Sequence, residues 1–210
     1  MKVTVIGAGN MGSAFVKQLT RAGHQVSVTA RDSAKAAQVA AANPGAKAVA
    51  TAGAAAGADA VVLATGYADA VSALQGVGDL KGRVVIDITN PLTADYMGLT
   101  LGHSTSAAEQ IASAVPGAEV VKAFNTVFAQ VLAEGADFGE GRKVTVFVAS
   151  DSARAKQTAT ALAESMGFEV VDAGGLKNAR YLEPVAGLNI YLGYGAGLGM
   201  AIAPTWIRKA

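Results

Sequence analysis

Short apolar runs alternate with segments of helical character over the first 172 residues of the chain. The first run lies at residues 3–6, and glycines and a helical stretch at about residues 10–22 follow it. Further runs lie at 25–29, 47–50, 60–64, 84–88, 120–123, 144–149 and 169–172. Uninterrupted apolar strands that are separated by helices indicate a parallel sheet covered on both faces. The pattern therefore predicts a doubly wound α/β fold.

This alternation stops after Asp172, and the last 38 residues read as one C-terminal helical region. Residues 184–207 carry no charge over 24 positions, which is long enough to cross a bilayer. Five glycines, two prolines and Asn189 lower the hydropathy of this stretch well below that of a leucine-rich membrane span. We therefore expect a helix buried between subunits, with a membrane segment as the alternative.

Composition narrows the class of protein. Seventeen basic side chains balance 16 acidic ones, so the formal charge of +1 gives no electrostatic case for a nucleic-acid-binding protein. The absence of cysteine excludes a disulfide scaffold, a thiolate metal site and a catalytic thiol. Charged residues make up 16%, below the roughly 25% usual in soluble domains, which indicates close packing and a buried subunit interface. We expect a cytoplasmic homodimer without a metal site.

A glycine-rich loop lies between the first predicted strand and the first predicted helix. Its sequence, Gly7-Ala8-Gly9-Asn10-Met11-Gly12, fits the G-x-G-x-x-G pattern in the place where dinucleotide-binding proteins carry it. Gly7 permits a tight turn, Gly9 lets a pyrophosphate approach the backbone, and Gly12 allows helix and strand to pack closely. The free N–H groups and the dipole of the helix N-terminus favour bound phosphate. The loop predicts a Rossmann NAD(P)-binding fold.

The end of the second strand favours NADP over NAD. An NAD site usually has an acidic residue there to hold the ribose hydroxyls, whereas this chain has Arg31 followed by Asp32. The Arg31 guanidinium is placed to bind a 2′-phosphate, and Lys35, one turn into the next helix, adds a second charge. Asp32 is better placed as the cap of that helix. The alternative is that Asp32 holds the ribose and Arg31 is solvated.

No residue is a certain proton donor for catalysis. The candidates are His103, Lys122, Tyr67 and Tyr194. Hydride transfer between a nicotinamide and a flavin-like ring mainly requires two rings stacked at the right distance, so it fits a chain without an evident donor. Two other functions stay open. One is an NADPH-dependent reductase of a small imine or keto substrate, and the other is an NADPH-binding sensor without turnover.

Further motifs extend over nearly the whole chain. Besides the glycine loop they are Ala30-Arg31 with Lys35, Asn90-Pro91-Leu92, Ser106-Ala107-Ala108-Glu109, and Asp172-Ala173-Gly174-Gly175-Leu176-Lys177-Asn178-Ala179-Arg180. Together these motifs resemble the NADP-dependent oxidoreductases of the deazaflavin coenzyme F420. The segment Val121-Lys122-Ala123-Phe124-Asn125 is also similar to the cytosolic nucleotide domain of six-transmembrane ferric reductases.

The resemblance implies a set of cofactor-binding residues. They are Ala8, Gly9, Asn10 and Met11 at the pyrophosphate, within the loop bounded by Gly7 and Gly12; Ala30, Arg31 and Lys35 at the 2′-phosphate; and Thr65, Gly66, Asn90 and Pro91 near the nicotinamide. It also implies an acceptor pocket formed by Leu92, Phe124, Asn125, Thr126, Asn189 and Tyr194, with help from a second subunit.

The acceptor side departs from the family pattern at residues 90–93, at residues 124–127 and at Gly175, so FMN and FAD are alternative acceptors to coenzyme F420. The basic residues that we identify for the anionic tail of that coenzyme are Lys177, Arg180, Arg208 and Lys209. We divide the chain into a dinucleotide-binding domain, residues 1–172, and a C-terminal helical segment, residues 173–210, which supplies the acceptor pocket and a dimer contact. We expect an oxidoreductase that transfers hydride between NADP(H) and a deazaflavin or flavin acceptor.

Overall fold

The computed structural model describes residues 1–206 and residue 209. Its strands are β1 (Lys2–Ile6), β2 (Gln25–Thr29), β3 (Ala46–Ala48), β4 (Ala60–Leu63), β5 (Val84–Asp87), β6 (Glu119–Lys122), β7 (Thr145–Val148) and β8 (Glu169–Asp172). Its helices are α1 (Asn10–Arg21), α2 (Ser33–Ala41), α3 (Ala70–Gly76), α4 (Ala107–Ala114), α5 (Ala129–Glu134), α6 (Ala153–Ser165) and α7 (Ala179–Ile190). The strands lie where the apolar runs predict them.

Six strands form one parallel sheet in the order β3-β2-β1-β4-β5-β6. This order, with helices on both faces, confirms the predicted Rossmann fold. The chain turns from one half of the sheet to the other between β1 and β4, and ligands of such sheets bind in the crevice at this point, beyond the carboxyl ends of the strands. The last two strands, β7 and β8, pair in parallel with each other and join β6 through one antiparallel bridge, between Lys122 and Ala149.

Small aliphatic side chains fill most of the core. Every residue of β4 and β5 is buried, and these eight positions are mainly valine, with alanine, leucine, isoleucine and one aspartate. Three buried aromatic rings pack together at α1, where Phe124 packs edge-to-face against Phe15 and Phe168 at centroid distances of 5.0 and 5.9 Å. Such pairs add about 0.5–1.5 kcal/mol beyond the area that they bury.

The C-terminal region differs from the expected single long helix. Helix α7 ends at Ile190, one wider helical turn covers Tyr191–Gly195, and an irregular segment follows to Trp206. Gly197 and Gly199 adopt positive φ angles of 75° and 80°, which are incompatible with a continuing right-handed helix. No helix in the described part of the chain is long and apolar enough to cross a membrane. Residues 207, 208 and 210 lie outside the described residues, and with them Arg208.

A buried ion cluster ties α7 to the sheet. The Lys122 Nζ atom lies 2.7 Å from Asp87 Oδ2, 2.9 Å from Glu183 Oε1 and 2.6 Å from the Thr89 carbonyl oxygen. The side chains of Lys122 and Asp87 are fully buried, and that of Glu183 is nearly so. Lys122 had been a candidate proton donor, but its ammonium group is enclosed between β5, β6 and α7. We call Lys122, Asp87 and Glu183 the lysine cluster.

The N-terminus of α4 also stabilises the negative charge of the lysine cluster. Glu183 accepts hydrogen bonds from the backbone N–H groups of Ala107, at 2.9 Å, and Ala108, at 3.2 Å. One lysine and two carboxylates leave a net charge of −1, which the positive end of the α4 dipole offsets. Burying charge is costly unless each ion has partners, and here each has at least two.

Replacing Lys122 with methionine is expected to destabilise the protein strongly. The variant would leave two buried carboxylates without their cation, and breaking a buried ion pair in this way costs about 3–5 kcal/mol. Urea unfolding followed by circular dichroism measures the loss. The exposed Lys81→Met variant is the matched control, with a change within about 0.5 kcal/mol. Equal midpoints for the two variants would contradict a stabilising role for the cluster.

Candidate active site

The glycines of the loop between β1 and α1 have two different roles. A Cβ atom on Gly7, whose φ is 116°, would lie 2.2 Å from the Ala64 carbonyl oxygen, and one on Gly12 would lie 2.0 Å from the Gly7 carbonyl oxygen. Both positions therefore exclude a side chain because backbone packs against them. A Cβ atom on Gly9 would meet nothing within 4 Å. Gly9 faces open space, as a residue under a bound pyrophosphate must.

A cleft of about 530 Å³ opens above this loop. The predicted nucleotide residues among its lining are Gly7, Ala8, Gly9, Ala30, Arg31, Lys35, Thr65 and Gly66. Helix α1 begins there without a side-chain cap and without an acidic residue in its first turn. Its first N–H groups are thus available to an anion at the positive end of the helix dipole, and the cleft fits the phosphates of a dinucleotide.

The charged residues after β2 are arranged as an NADP site requires. The Asp32 Oδ1 atom accepts hydrogen bonds from the N–H groups of Ala34, at 3.0 Å, and Lys35, at 3.2 Å, and so caps α2 as predicted. The Arg31 guanidinium is 88% exposed, and its one ionic contact in the described chain is with Asp69, 3.3 Å away. An exposed pair of this kind is worth little, so a phosphate can readily replace Asp69 as the partner of Arg31.

A second cavity, of about 500 Å³, lies on the other side of the glycine loop. We call it the acceptor cavity. Five of the six residues predicted for the acceptor pocket line it, namely Phe124, Asn125, Thr126, Asn189 and Tyr194. Asn10, Met11 and Asn90, which the sequence predicted at the nucleotide, line this cavity and not the cleft. Pro91 is buried beside it, and Leu92 pairs with Leu99 in a short antiparallel bridge, so neither lines the cavity. The cleft and the cavity are thus lined by consecutive residues of one loop, Gly9 and Asn10.

One wall of the acceptor cavity is a network of side-chain amides. Asn125 Nδ2 donates to Asn90 Oδ1, at 3.0 Å, and to the Leu182 carbonyl, at 2.9 Å, while Asn90 Nδ2 donates to the Asn125 carbonyl, at 2.9 Å. Asn189 Nδ2 donates to the Thr126 carbonyl, at 3.1 Å. These bonds fix the loop after β6 against the loop after β5 and against α7.

Two buried polar atoms in this wall have no hydrogen-bond partner among the described residues. They are Asn125 Oδ1 and Thr126 Oγ1. An unpaired buried polar group costs about 1–3 kcal/mol, and because neither atom has exposed surface, a ligand can supply the missing partner only after these side chains shift. The preceding residue, Phe124, has a φ of 59°, a strained conformation for a non-glycine residue and one that is concentrated at functional sites. The wall is therefore rigid and incompletely satisfied, as expected of a ligand-binding surface.

The opposite wall is apolar and exposed. Tyr96 and Met97 extend over the cavity from the loop after β5, and Tyr194, which is 60% exposed, packs edge-to-face on Phe128 at a centroid distance of 6.0 Å. Sequence reasoning missed Tyr96, Met97 and Phe128. Their positions after β5 and β6 carry the available signal, since loops at the carboxyl ends of parallel strands form the site in this fold.

Titratable groups are scarce at the acceptor cavity. Among its described lining residues they are Asp95, Tyr96 and Tyr194. The Thr93 hydroxyl and the Met97 N–H group hydrogen-bond to the exposed Asp95 carboxylate and keep its pKa below the usual value. Asp95 is therefore an anion at neutral pH and a poor proton donor.

The other candidate donors lie elsewhere. His103 lies in a separate groove beside Arg180, and Tyr67 donates a hydrogen bond to Gln110. Burial raises the pKa of Tyr67, and the nearby Glu183 and Asp87 carboxylates add to this effect. Of the four candidates predicted from sequence, Tyr194 alone lines the cavity.

Comparisons with known proteins also indicate an NADP-binding oxidoreductase. Residues 2–91 match the family model described as NADP oxidoreductase, coenzyme F420-dependent. The F420-dependent NADP reductase of Methanothermobacter marburgensis is 31% identical over 91% of this chain and 92% of its own length. Metalloreductase STEAP3 of Rattus norvegicus is 30% identical over 88% of this chain, which spans 36% of that longer protein. A crystal structure of a candidate F420-dependent NADP-reductase from Arthrobacter sp. FB24 is 32% identical, with a TM-score of 0.83 over 94% of this chain and 95% of that one.

The fold and the loop define an oxidoreductase of the NADP-dependent class. Within it, the chain belongs to the family of coenzyme F420-dependent NADP oxidoreductases.

The two kinds of glycine are expected to respond differently to a methyl group. In Gly9→Ala the methyl group enters the open space needed by the pyrophosphate, so the Kd for NADPH should rise at least about tenfold while the free energy of unfolding changes by less than about 0.5 kcal/mol. In Gly12→Ala the methyl group meets backbone, which should cost about 1–3 kcal/mol or more of stability. Fluorescence titration and urea unfolding separate the two effects. Loss of stability in Gly9→Ala with unchanged affinity would contradict these assignments.

Arg31→Ala is expected to weaken NADPH binding roughly ten- to a hundredfold, because a charge-assisted contact is worth about 1.5–3 kcal/mol. NADH lacks the 2′-phosphate, so its Kd should stay within about twofold. Isothermal titration of both nucleotides gives the ratio directly. Arg142→Ala, an exposed arginine outside the cleft that is paired with Glu140, is the matched control. An unchanged NADPH affinity in Arg31→Ala would contradict the assignment.

Proposed function

We propose that the protein transfers hydride between NADP(H), held in the cleft, and a deazaflavin or flavin ring, held in the acceptor cavity. The observation that carries this proposal is that consecutive residues of one loop line the two spaces, Gly9 the cleft and Asn10 the cavity, which favours ring contact at that loop. Direct hydride transfer requires such contact. In the balanced reaction, NADPH, the oxidised ring and one solvent proton give NADP⁺ and the reduced ring.

The residues of the cavity suit a flat heterocycle. Tyr194, Phe128 and Met97 offer an apolar surface to the face of a ring. Asn125 Oδ1 and Thr126 Oγ1 lack partners in the described chain, and the polar edge of a flavin or deazaflavin pyrimidine ring carries one N–H donor between two carbonyl acceptors. We infer that these two residues hold that edge after a small shift of their side chains, whose unpartnered atoms have no exposed surface, and that Asn90 and Pro91 lie at the nicotinamide.

Coenzyme F420 is the acceptor that we favour over FMN and FAD. This choice is supported by the reductase of Methanothermobacter marburgensis, which is 31% identical and is named as dependent on that coenzyme. The match covers nearly the full length of both chains. The longer metalloreductase shares the nucleotide-binding region and is a weaker guide to the acceptor, because most of its length has no counterpart here.

The imine or keto reductase alternative needs a proton donor beside the substrate. The described cavity lining offers Asp95, Tyr96 and Tyr194, each of them exposed, and the buried Lys122 does not reach it. Ring-to-ring transfer makes no such demand, because the proton can come from solvent. This scarcity of donors supports a flavin-like acceptor.

We further propose that the segment 173–210 serves as acceptor wall and dimer contact, beside the dinucleotide-binding domain 1–172. Tyr181, Leu188 and Tyr191 lie on one exposed face of the C-terminal helical region, and this face is continuous with Tyr194 at the cavity. A second copy of the chain would cover the face and enclose the open side of the cavity. The cytoplasmic location stays a prediction from the sequence.

The test is NADPH oxidation, followed by absorbance, with coenzyme F420, FMN and FAD in turn. We expect oxidation with the deazaflavin. Thr126→Val removes the unpartnered hydroxyl, so kcat/KM for the acceptor should fall about two- to tenfold without loss of stability, given that one hydrogen bond is worth about 0.5–1.5 kcal/mol.

Thr89→Val is the matched control, because Thr89 also has a buried hydroxyl without a partner in the described chain but does not line the cavity. Its kcat/KM should be that of the wild type. Oxidation with flavins alone would replace the favoured acceptor. NADPH binding without oxidation by any of the three acceptors would refute the proposal in favour of a sensor.

A further inference from the structure

We propose a second ligand subsite, on the outer face of α1, that binds an anionic side chain carried by the acceptor ring. The inference rests on the proposed function, since it concerns the part of the acceptor that lies outside the acceptor cavity. It names a chemical class: a flavin-like ring whose flexible chain bears phosphate or carboxylate groups in more than one place.

The subsite is a groove of about 860 Å³ that follows α1. Its floor is the stripe of that helix that carries Ser13 and the buried Ala14, which are too small to fill it, and the N-terminal part of α5 and the turn at residues 42–44 form its two sides. We call it the α1 groove. Short side chains along a helix between raised walls leave room for an extended ligand.

The α1 groove is continuous with the acceptor cavity. Asn10, Ala129 and Gln130 line both spaces, so the upper end of the groove is also an edge of the cavity. A ring bound in the cavity can therefore extend its side chain over the N-termini of α1 and α5 into the groove.

Two cations lie along the groove, Lys17 and Arg21. They are the charged residues among its described lining, and neither has a carboxylate within 4 Å in the described part of the chain. With a rise of about 1.5 Å per residue, Lys17 lies about 10 Å and Arg21 about 16 Å along the helix from Asn10. A ligand chain with anionic groups at both distances would pair with both cations, whereas the single phosphate of FMN would satisfy at most one.

The basic residues identified from sequence for such a chain are less suitable. Arg180 is bound by the Glu109 carboxylate in two hydrogen bonds, of 2.8 and 2.7 Å, so its charge is already compensated. Lys177 lies with Arg180 in a separate groove that shares no lining residue with the acceptor cavity. Arg208 lies outside the described residues, and no contact connects Lys209 with the cavity in the described chain. Among the described residues, Lys17 and Arg21 are cations without an ionic partner in a groove that shares lining residues with the cavity.

The test compares two deazaflavin acceptors that differ only in the chain, coenzyme F420 and 8-hydroxy-5-deazariboflavin, which has the same ring without the anionic tail. We expect the wild type to have a lower KM for the coenzyme than for the tail-less compound. The quantity compared is the KM for the tail-less compound divided by the KM for the coenzyme. In the double variant Lys17→Gln/Arg21→Gln, this ratio should shrink by roughly five- to thirtyfold. Salt at about 0.3 M should shrink the same ratio in the wild type through screening.

Lys81→Gln, an exposed lysine that precedes β5 and lines neither the α1 groove nor the acceptor cavity, is the matched control and should keep the wild-type ratio. Reduction of both acceptors with the same KM ratio in the wild type and the double variant would overturn the α1 groove and leave the proposed function standing. Reduction of neither acceptor by the wild type would overturn both. We expect the double variant to have the melting temperature and the NADPH Kd of the wild type. Its reduced preference for the coenzyme would then result from weaker binding of the anionic chain of the acceptor.

Discussion

Lys122 ends β6 inside the protein, with its ammonium group between the carboxylates of Asp87 and Glu183. Through Asp87 it holds the end of β5, and through the Thr89 carbonyl it holds the loop that leads to Asn90. Through Glu183 it holds α7, whose carboxylate also binds the first turn of α4. The acceptor cavity is built from the segments that this cluster joins, so its shape depends on charges that touch no ligand. Burial makes the arrangement specific, because any displacement would leave a charge unpaired.

The nucleotide cleft and the acceptor cavity are formed in different ways. The nucleotide half is set by backbone: close approaches at Gly7 and Gly12 fix the loop, and Gly9 leaves the space above it open. The acceptor half has a rigid wall of amides and an exposed wall of aromatic and methionine side chains. Under the proposed function, the fixed loop holds the nicotinamide nucleotide and the cavity holds the second ring. Rate then depends mainly on how well the second ring is held against the nicotinamide.

Local patterns in the sequence predicted the features that depend on neighbouring residues. The strands follow from apolar runs, the fold of the loop from its three glycines, and the role of Asp32 from its place before a helix. Features that depend on distant residues were not predictable in this way. The lysine cluster joins Asp87 to Glu183 across nearly half of the chain, and nothing next to either residue indicates the other. The end of the C-terminal helix was missed because its composition is apolar throughout, while positive φ angles at Gly197 and Gly199 appear only in the structure.

Direct transfer of hydride between two rings in contact is the central step of the proposed reaction, and isotopic labelling tests this transfer most directly. NADPH labelled with deuterium at C4 of the nicotinamide, in each of its two stereochemical forms, is oxidised with coenzyme F420, and the reduced coenzyme is analysed by mass spectrometry. A deazaflavin accepts hydride at carbon, so a transferred label is retained, whereas a flavin nitrogen would exchange it with water. We predict that one of the two forms delivers its deuterium to the coenzyme and the other delivers none. A reduced coenzyme that contains only solvent hydrogen with both forms would contradict the account.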